Sequence, residues 1–146
     1  MVSNKQNLRW PVIALDTNIL VRFITRDDPV QTRHADHLLE TAGDIFLLLD
    51  VVLIELFWTL RRLYAFSNEE VIEVLEAFSS RMDIEFEERN RFERALALSK
   101  KGHDFADILI IEMARHGDAT AFATFDKNLV KLEPQFIVHP KDPSIE

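Results

Sequence analysis

Carboxylates at four places in the chain, one of them a pair, stand where their types and spacing can do chemistry. Asp16 follows directly on the apolar run Val12-Ile13-Ala14-Leu15, in Leu15-Asp16-Thr17-Asn18. Read by itself it is an ordinary helix cap, since Asp, Thr and Asn all cap well. Glu55 is the lone carboxylate in Val51-Val52-Leu53-Ile54-Glu55-Leu56-Phe57-Trp58, a helical segment otherwise apolar all round and therefore expected to be buried. A buried carboxylate needs a partner, a proton or a metal. The structural alternative is a salt bridge to Arg61 or Arg62, which lie off the favoured i,i+3 and i,i+4 spacings. Asp104 and Asp107 share one face of a helical first turn, where free N–H groups and the helix dipole favour negative charge. Two capping acids are the ordinary reading there. Asp126, in Thr124-Phe125-Asp126, comes just after a strand-like run, where a turn-forming Asp is the ordinary reading.

These positions share a location. All fall at expected strand carboxyl ends or in the first turns of the following helices, which is where open parallel sheets bind ligands. Four acids gathered there repel one another unless cations hold them. The chain has no cysteine and no His-x-x-x-His pair, and oxygen-only donors suit Mg²⁺ or Mn²⁺ rather than zinc. Such ions commonly bridge substrate phosphates, so the constellation points to hydrolysis of a phosphoester by metal-activated water. His34, His37, His103, His116 and His139 show no ligand spacing and read as surface or cap residues.

The elements that must position these acids alternate. Val12–Leu15 reads as a buried strand, followed by a helix from about Asn18 to Ile24. Asp28-Pro29 starts a helix over Val30–Thr41, which Gly43 ends. Ile45–Leu49 is a second buried strand, and Asp50 caps a helix running to Tyr64. Ser67-Asn68-Glu69-Glu70 is a capping box, and Val71, Val74, Leu75, Phe78 and Met82 line one face of the helix it opens. Ile84–Phe86 is a short strand and Glu88–Lys100 a helix. Asp104 caps a helix over Phe105–His116, closed by Gly117. Ala121–Thr124 and Phe136–His139 are the last strands, with a helical turn around Lys127–Leu132 between them. Strands alternating with helices of this length imply βαβ units and a parallel sheet covered on both faces, an α/β class.

Composition narrows the function classes. The chain has 146 residues, a length suited to one domain, with residues 1–10 as a polar leader and 140–146 as a tail. Three glycines and five prolines are too few for a linker-like or disordered chain. With 25 acidic against 17 basic residues the net charge is −8, which argues against gripping nucleic acid through a broad basic field but not through metal ions. The longest apolar stretch, from Ile45 to Leu60, is interrupted by Asp50 and Glu55 and is short of a membrane span. A soluble, cytoplasmic protein is expected.

The motifs Ala14-Leu15-Asp16-Thr17-Asn18-Ile19-Leu20, the lone Glu55, Asp104-Phe105-Ala106-Asp107 and Ala123-Thr124-Phe125-Asp126-Lys127 resemble those of PIN-domain ribonucleases. They look most like the VapC-type toxins of toxin–antitoxin pairs, in the right order from about Val12 to His139. The resemblance implies a three-layer α/β/α sandwich with a central, mainly parallel sheet of four to five strands. It implies an endoribonuclease dependent on Mg²⁺ or Mn²⁺, with Asp16, Glu55, Asp107 and Asp126 as metal-binding and catalytic acids. Asn18 and Thr124 would support the site, with Asp104 an acid beside it. The family also implies an RNA substrate, a homodimer and a cognate antitoxin. Among the basic residues, Arg22 and Lys127 follow the Asp16 and Asp126 motifs closely and are the better RNA-contact candidates. Arg26, Lys100 and Lys101 fit a solvated face.

Two other readings compete. A PIN-fold interaction module without activity would share the fold and lack metal binding. A phosphoaspartyl phosphatase also begins with an Asp after its first strand, but needs a second Asp where this chain has Asn18.

Overall fold

Apolar runs too short for a helix and bounded by turn residues extend and pair; longer amphipathic stretches coil and cover them. The computed structural model describes residues 11–41 and 43–141, so the proposed leader and the last residues of the tail lie outside the described residues. The order is β1 (Val12–Ala14), α1 (Thr17–Thr25), α2 (Pro29–Leu39), β2 (Ile45–Leu48), α3 (Asp50–Arg62), α4 (Asn68–Ser79), β3 (Ile84–Phe86), α5 (Arg89–Lys100), α6 (Phe105–His116), β4 (Phe122–Ala123), α7 (Lys127–Leu132) and β5 (Ile137–Val138). The chain forms two compact units, residues 1–109 and 110–146, with the division inside α6.

In the first unit β2 is the middle strand of a parallel sheet ordered β1-β2-β3. Ile13 lies beside Phe46 and Phe46 beside Ile84, while Leu48 lies beside Phe86. Phe46, Leu48, Ile84 and Phe86 are all buried, so one pleat face of β2 and β3 forms the core. Phe86 stacks on Phe92 of α5 at 4.0 Å between ring centres, and Phe105 at the head of α6 packs near both Phe57 and Phe92. In the second unit β4 and β5 form a parallel pair, Phe122 beside Ile137. All strand pairs are parallel, as the α/β reading requires. The five strands pair among the described residues as three and two, rather than as one sheet.

Local signals explain most boundaries. Asp28 accepts from the N–H groups of Val30 and Gln31, with Pro29 at the first helical position. The capping box forms, since Ser67 accepts from Glu70 N–H while Glu70 accepts from Ser67 N–H. Several expectations need correction. α2 ends at Leu39, with Glu40 still right-handed, so Gly43 lies in the following loop with φ +91° and does not cap the helix. α6 is closed by Asp118 in the left-handed region (φ +64°) rather than by Gly117. Met82 falls beyond α4 and is almost fully exposed, and Ile72 is buried instead. Asp50 is the first residue of α3, not its cap; Leu49 holds that position.

Candidate active site

The site is built at the carboxyl end of β1. Leu15 N–H donates to Leu47 O at 3.1 Å, carrying the ladder one residue past the strand. Asp16 then turns the chain into α1, and Ile19 N–H donates to Asp16 O at 3.1 Å. Asp16 stands at the capping position with extended backbone, yet its side chain makes no capping hydrogen bond. The exposed carboxylate is therefore held out at the strand end, uncommitted to the helix. Thr17, almost fully buried, donates from Oγ1 to Glu55 Oε1 at 3.3 Å. This bond ties the first motif to α3 across 38 residues of sequence.

Glu55 itself is exposed, which corrects the expectation of burial. α3 is not apolar-faced all round in its setting: Val51 is 54% and Trp58 36% exposed, one turn before and one turn after Glu55 on the same stripe. What fixes this carboxylate is the Thr17 hydroxyl, not desolvation. A salt bridge to Arg61 or Arg62 is not what holds it either. Arg61 donates to Phe66 O at 3.0 Å, and the Arg62 guanidinium lies 5.4 Å from the centre of the Trp58 ring. Thr17 is a candidate residue that reading the sequence for acids missed; its signal was its place inside Asp16-Thr17-Asn18.

Asp104 accepts from Asp107 N–H at 2.9 Å and so caps α6, leaving Asp107 half-buried in the helix's first turn. In the second unit Thr124 Oγ1 accepts from Asp126 N–H at 3.1 Å. Asp126 Oδ1 caps α7 by accepting from Asn128 and Leu129 N–H at 2.9 and 3.3 Å. The turn-and-cap role is thus realised by one oxygen of Asp126. Among the described residues no group of three or more acids or histidines stands close enough to chelate an ion. The donor set nevertheless fits a hard cation in kind: the candidates are all carboxylates, and the chain contains no cysteine.

The PIN-domain family profile matches residues 13–133, a span that includes Asp16, Glu55, Asp107 and Asp126. The chain belongs to the PIN-domain family. No curated protein matches it. PIN domains are generally nucleases, hydrolases acting on RNA or DNA, and typically use divalent metal ions. No helix among the described residues is long and apolar enough to cross a membrane.

Next to the PIN motifs the structure shows a polar centre at the ends of β2 and β3. Asp50 is fully buried, and Arg91, itself 8% exposed, donates to its Oδ2 from Nε and Nη2 at 2.8 and 2.5 Å. Asp50 N–H donates to Glu87 Oε1 at 3.0 Å, while Asp50 Oδ1 has no hydrogen-bond partner. Burial pushes the Asp50 carboxyl above its ordinary range, against the pull of Arg91. The pairing spans 41 residues and left no local mark beyond an Asp heading an apolar helix.

Of the basic candidates, Lys127 is exposed at the start of α7. Arg22 is held on three sides: Nε donates to Gln31 Oε1 at 2.7 Å, and Nη1 reaches Tyr64 Oη at 3.2 Å and Asp27 at 3.3 Å. Tyr64 Oη in turn donates to Asp27 Oδ2 at 2.7 Å. Arg26 pairs in bidentate fashion with Asp36, and Lys100 with Glu76. Asn18 is exposed and lines a cavity with Ile19, Arg22, Gln31 and His34.

Proposed function

We propose that this PIN domain is an endoribonuclease dependent on Mg²⁺ or Mn²⁺, of the VapC toxin type. It acts in the cytoplasm as a homodimer and is silenced by a cognate antitoxin that covers its acidic site. The observation that carries this reading is an Asp16 side chain that makes no capping bond, followed directly by a Thr17 whose hydroxyl holds Glu55. An Asp at a capping position normally contributes about 1 kcal/mol by accepting an N–H bond. Here that contribution is absent, leaving both carboxylate oxygens available to another ligand.

Asp16, Glu55, Asp107 and Asp126 would hold the cation. When bound, such an ion supplies Lewis acidity towards phosphoryl oxygens and towards water. The remaining work falls to this chain's own groups. Thr17 fixes the Glu55 rotamer, Asp104 orders the first turn that presents Asp107, and Thr124 orders the backbone at Asp126. Asn18, which the resemblance places beside the acids, lies in the first turn of α1 with its side chain on the α1–α2 cavity. Lys127 and Arg22 sit near the motifs as contacts for the RNA strand. No side-chain nucleophile is required.

Incubating the purified protein with end-labelled RNA in Mg²⁺, Mn²⁺ or EDTA tests the reading. Internal cuts appear only with the cation, and Asp16→Ala abolishes them while its melting curve stays that of the wild type. Cutting in EDTA, or full activity in Asp16→Ala, overturns it. A second reading is a PIN-fold interaction module without activity. That module cuts nothing with any cation. The toxin assignment predicts growth arrest on induction, relieved by a co-expressed antitoxin.

A further inference from the structure

The cavity between α1 and α2 has a volume of about 270 Å³ and begins two residues after Asp16. Asn18, Ile19 and Arg22 occupy successive positions on one face of α1, and Gln31 and His34 lie one turn apart on α2. Its lining therefore combines an apolar patch, two amides, an imidazole and a guanidinium. The space is small for a peptide helix or a duplex, and of the order of a single planar heterocycle.

Charge decides between a phosphate and a base. Arg22 is the cation in the cavity, and Asp27 already lies against it, with Tyr64 bridging the two. The Asp27 carboxyl is held below its ordinary range, first by the Tyr64 hydroxyl and then by Thr25, so it stays charged and offsets Arg22. A phosphate entering here would meet that neighbouring carboxylate. Arg22 is better suited to offer its plane. Gln31, Tyr64 and Asp27 together lock the guanidinium in orientation, and a locked flat guanidinium is a stacking surface for an unpaired base.

The walls are also pinned. Asp36 holds Arg26 at 3.0 and 2.6 Å, Thr32 Oγ1 donates to Arg22 O at 3.3 Å, and Asp28 caps α2. A preorganised cavity loses little entropy on binding.

We infer that the α1–α2 cavity is a subsite for one unpaired nucleobase of the RNA strand, stacked against Arg22 and read along its edge by the amides of Asn18 and Gln31, with His34 beside them. The inference rests on the nuclease reading for its substrate, and it adds base selection: the base seated here sets which phosphate lies at Asp16.

The test is an NMR titration of the full-length protein, in EDTA, with adenosine, guanosine, cytidine and uridine, and with ribose 5-phosphate as the base-free probe. At least one nucleoside shifts the side-chain amides of Asn18 and Gln31 and the His34 ring in a saturable way, ribose 5-phosphate does not, and Gln31→Ala weakens the binding at least tenfold. No response to any nucleoside, equal shifts with ribose 5-phosphate, or unchanged binding in Gln31→Ala overturns the subsite. So does saturation of these residues by an antitoxin peptide with none by nucleosides. The two readings fail separately. Nucleoside binding without Mg²⁺-dependent cutting sinks the nuclease alone, and cutting without nucleoside binding sinks the subsite alone.

Discussion

The ends of β1 and β2 are neighbours in one parallel sheet, and each leads within two residues to an aspartate at the start of a helix. Their fates are opposite. At the end of β2, Asp50 is buried, its Oδ2 accepts two bonds from Arg91, and its backbone N–H donates to Glu87. At the end of β1, Asp16 is exposed, does not cap its helix, and lies next to a threonine that reaches for Glu55. Strand-end aspartates are thus not equivalent in this fold. One fastens the frame, and the other makes no capping bond to the helix it heads.

Substitutions break this comparison in a graded order. Asp16→Ala should lower RNA cleavage about a thousandfold or more, as loss of a group that acts within a catalytic set does, with thermal unfolding unchanged. Breaking the other end should do the reverse. Arg91→Met strands a buried carboxylate and should cost about 3–5 kcal/mol of stability in urea unfolding. Adding Asp50→Leu to that variant should recover most of the loss, because the buried charge goes with its partner. Thr17→Val should lower cleavage about 10- to 100-fold, the usual range for a group that orients a metal-site carboxylate. Asp28→Ala removes a cap that is used, and should cost about 1 kcal/mol while cleavage stays at the wild-type rate.

The smallest effect is on the acid limb of stability. Asp27, Asp36 and Asp83 are held below the ordinary carboxyl range by Tyr64, Arg26 and Arg81 respectively. Their unfolded forms bind protons more readily, so the stability they contribute is present above the usual Asp value of about 3.9 and lost as pH falls below it. Melting temperature should decline over that acid range, and Asp36→Asn should make the decline shallower.

What the sequence disclosed follows from the range of the forces involved. Caps and turns act over three or four residues, and Asp28-Pro29 and the Ser67–Glu70 box were legible for that reason. The alternation of strand and helix was legible too. Glu55 was misjudged because an apolar window does not say which residues find neighbours; Val51 and Trp58 do not bury, and Glu55 shares their stripe. The Asp50–Arg91 and Thr17–Glu55 contacts join residues 41 and 38 apart, so only the folded chain reveals them. The helix ends at Glu40 and Asp118 escaped because glycine is the commonest way to leave a helix, not the required one.

The central claim is that the carboxylate at the end of β1 is reserved for a divalent cation. Calorimetric titration of Mn²⁺ into the wild type, Asp16→Asn and Asp28→Asn tests it most directly. The account predicts saturable binding to the wild type and to Asp28→Asn, weakened at least tenfold in Asp16→Asn. Binding that survives intact in Asp16→Asn, or no binding to the wild type, would contradict it.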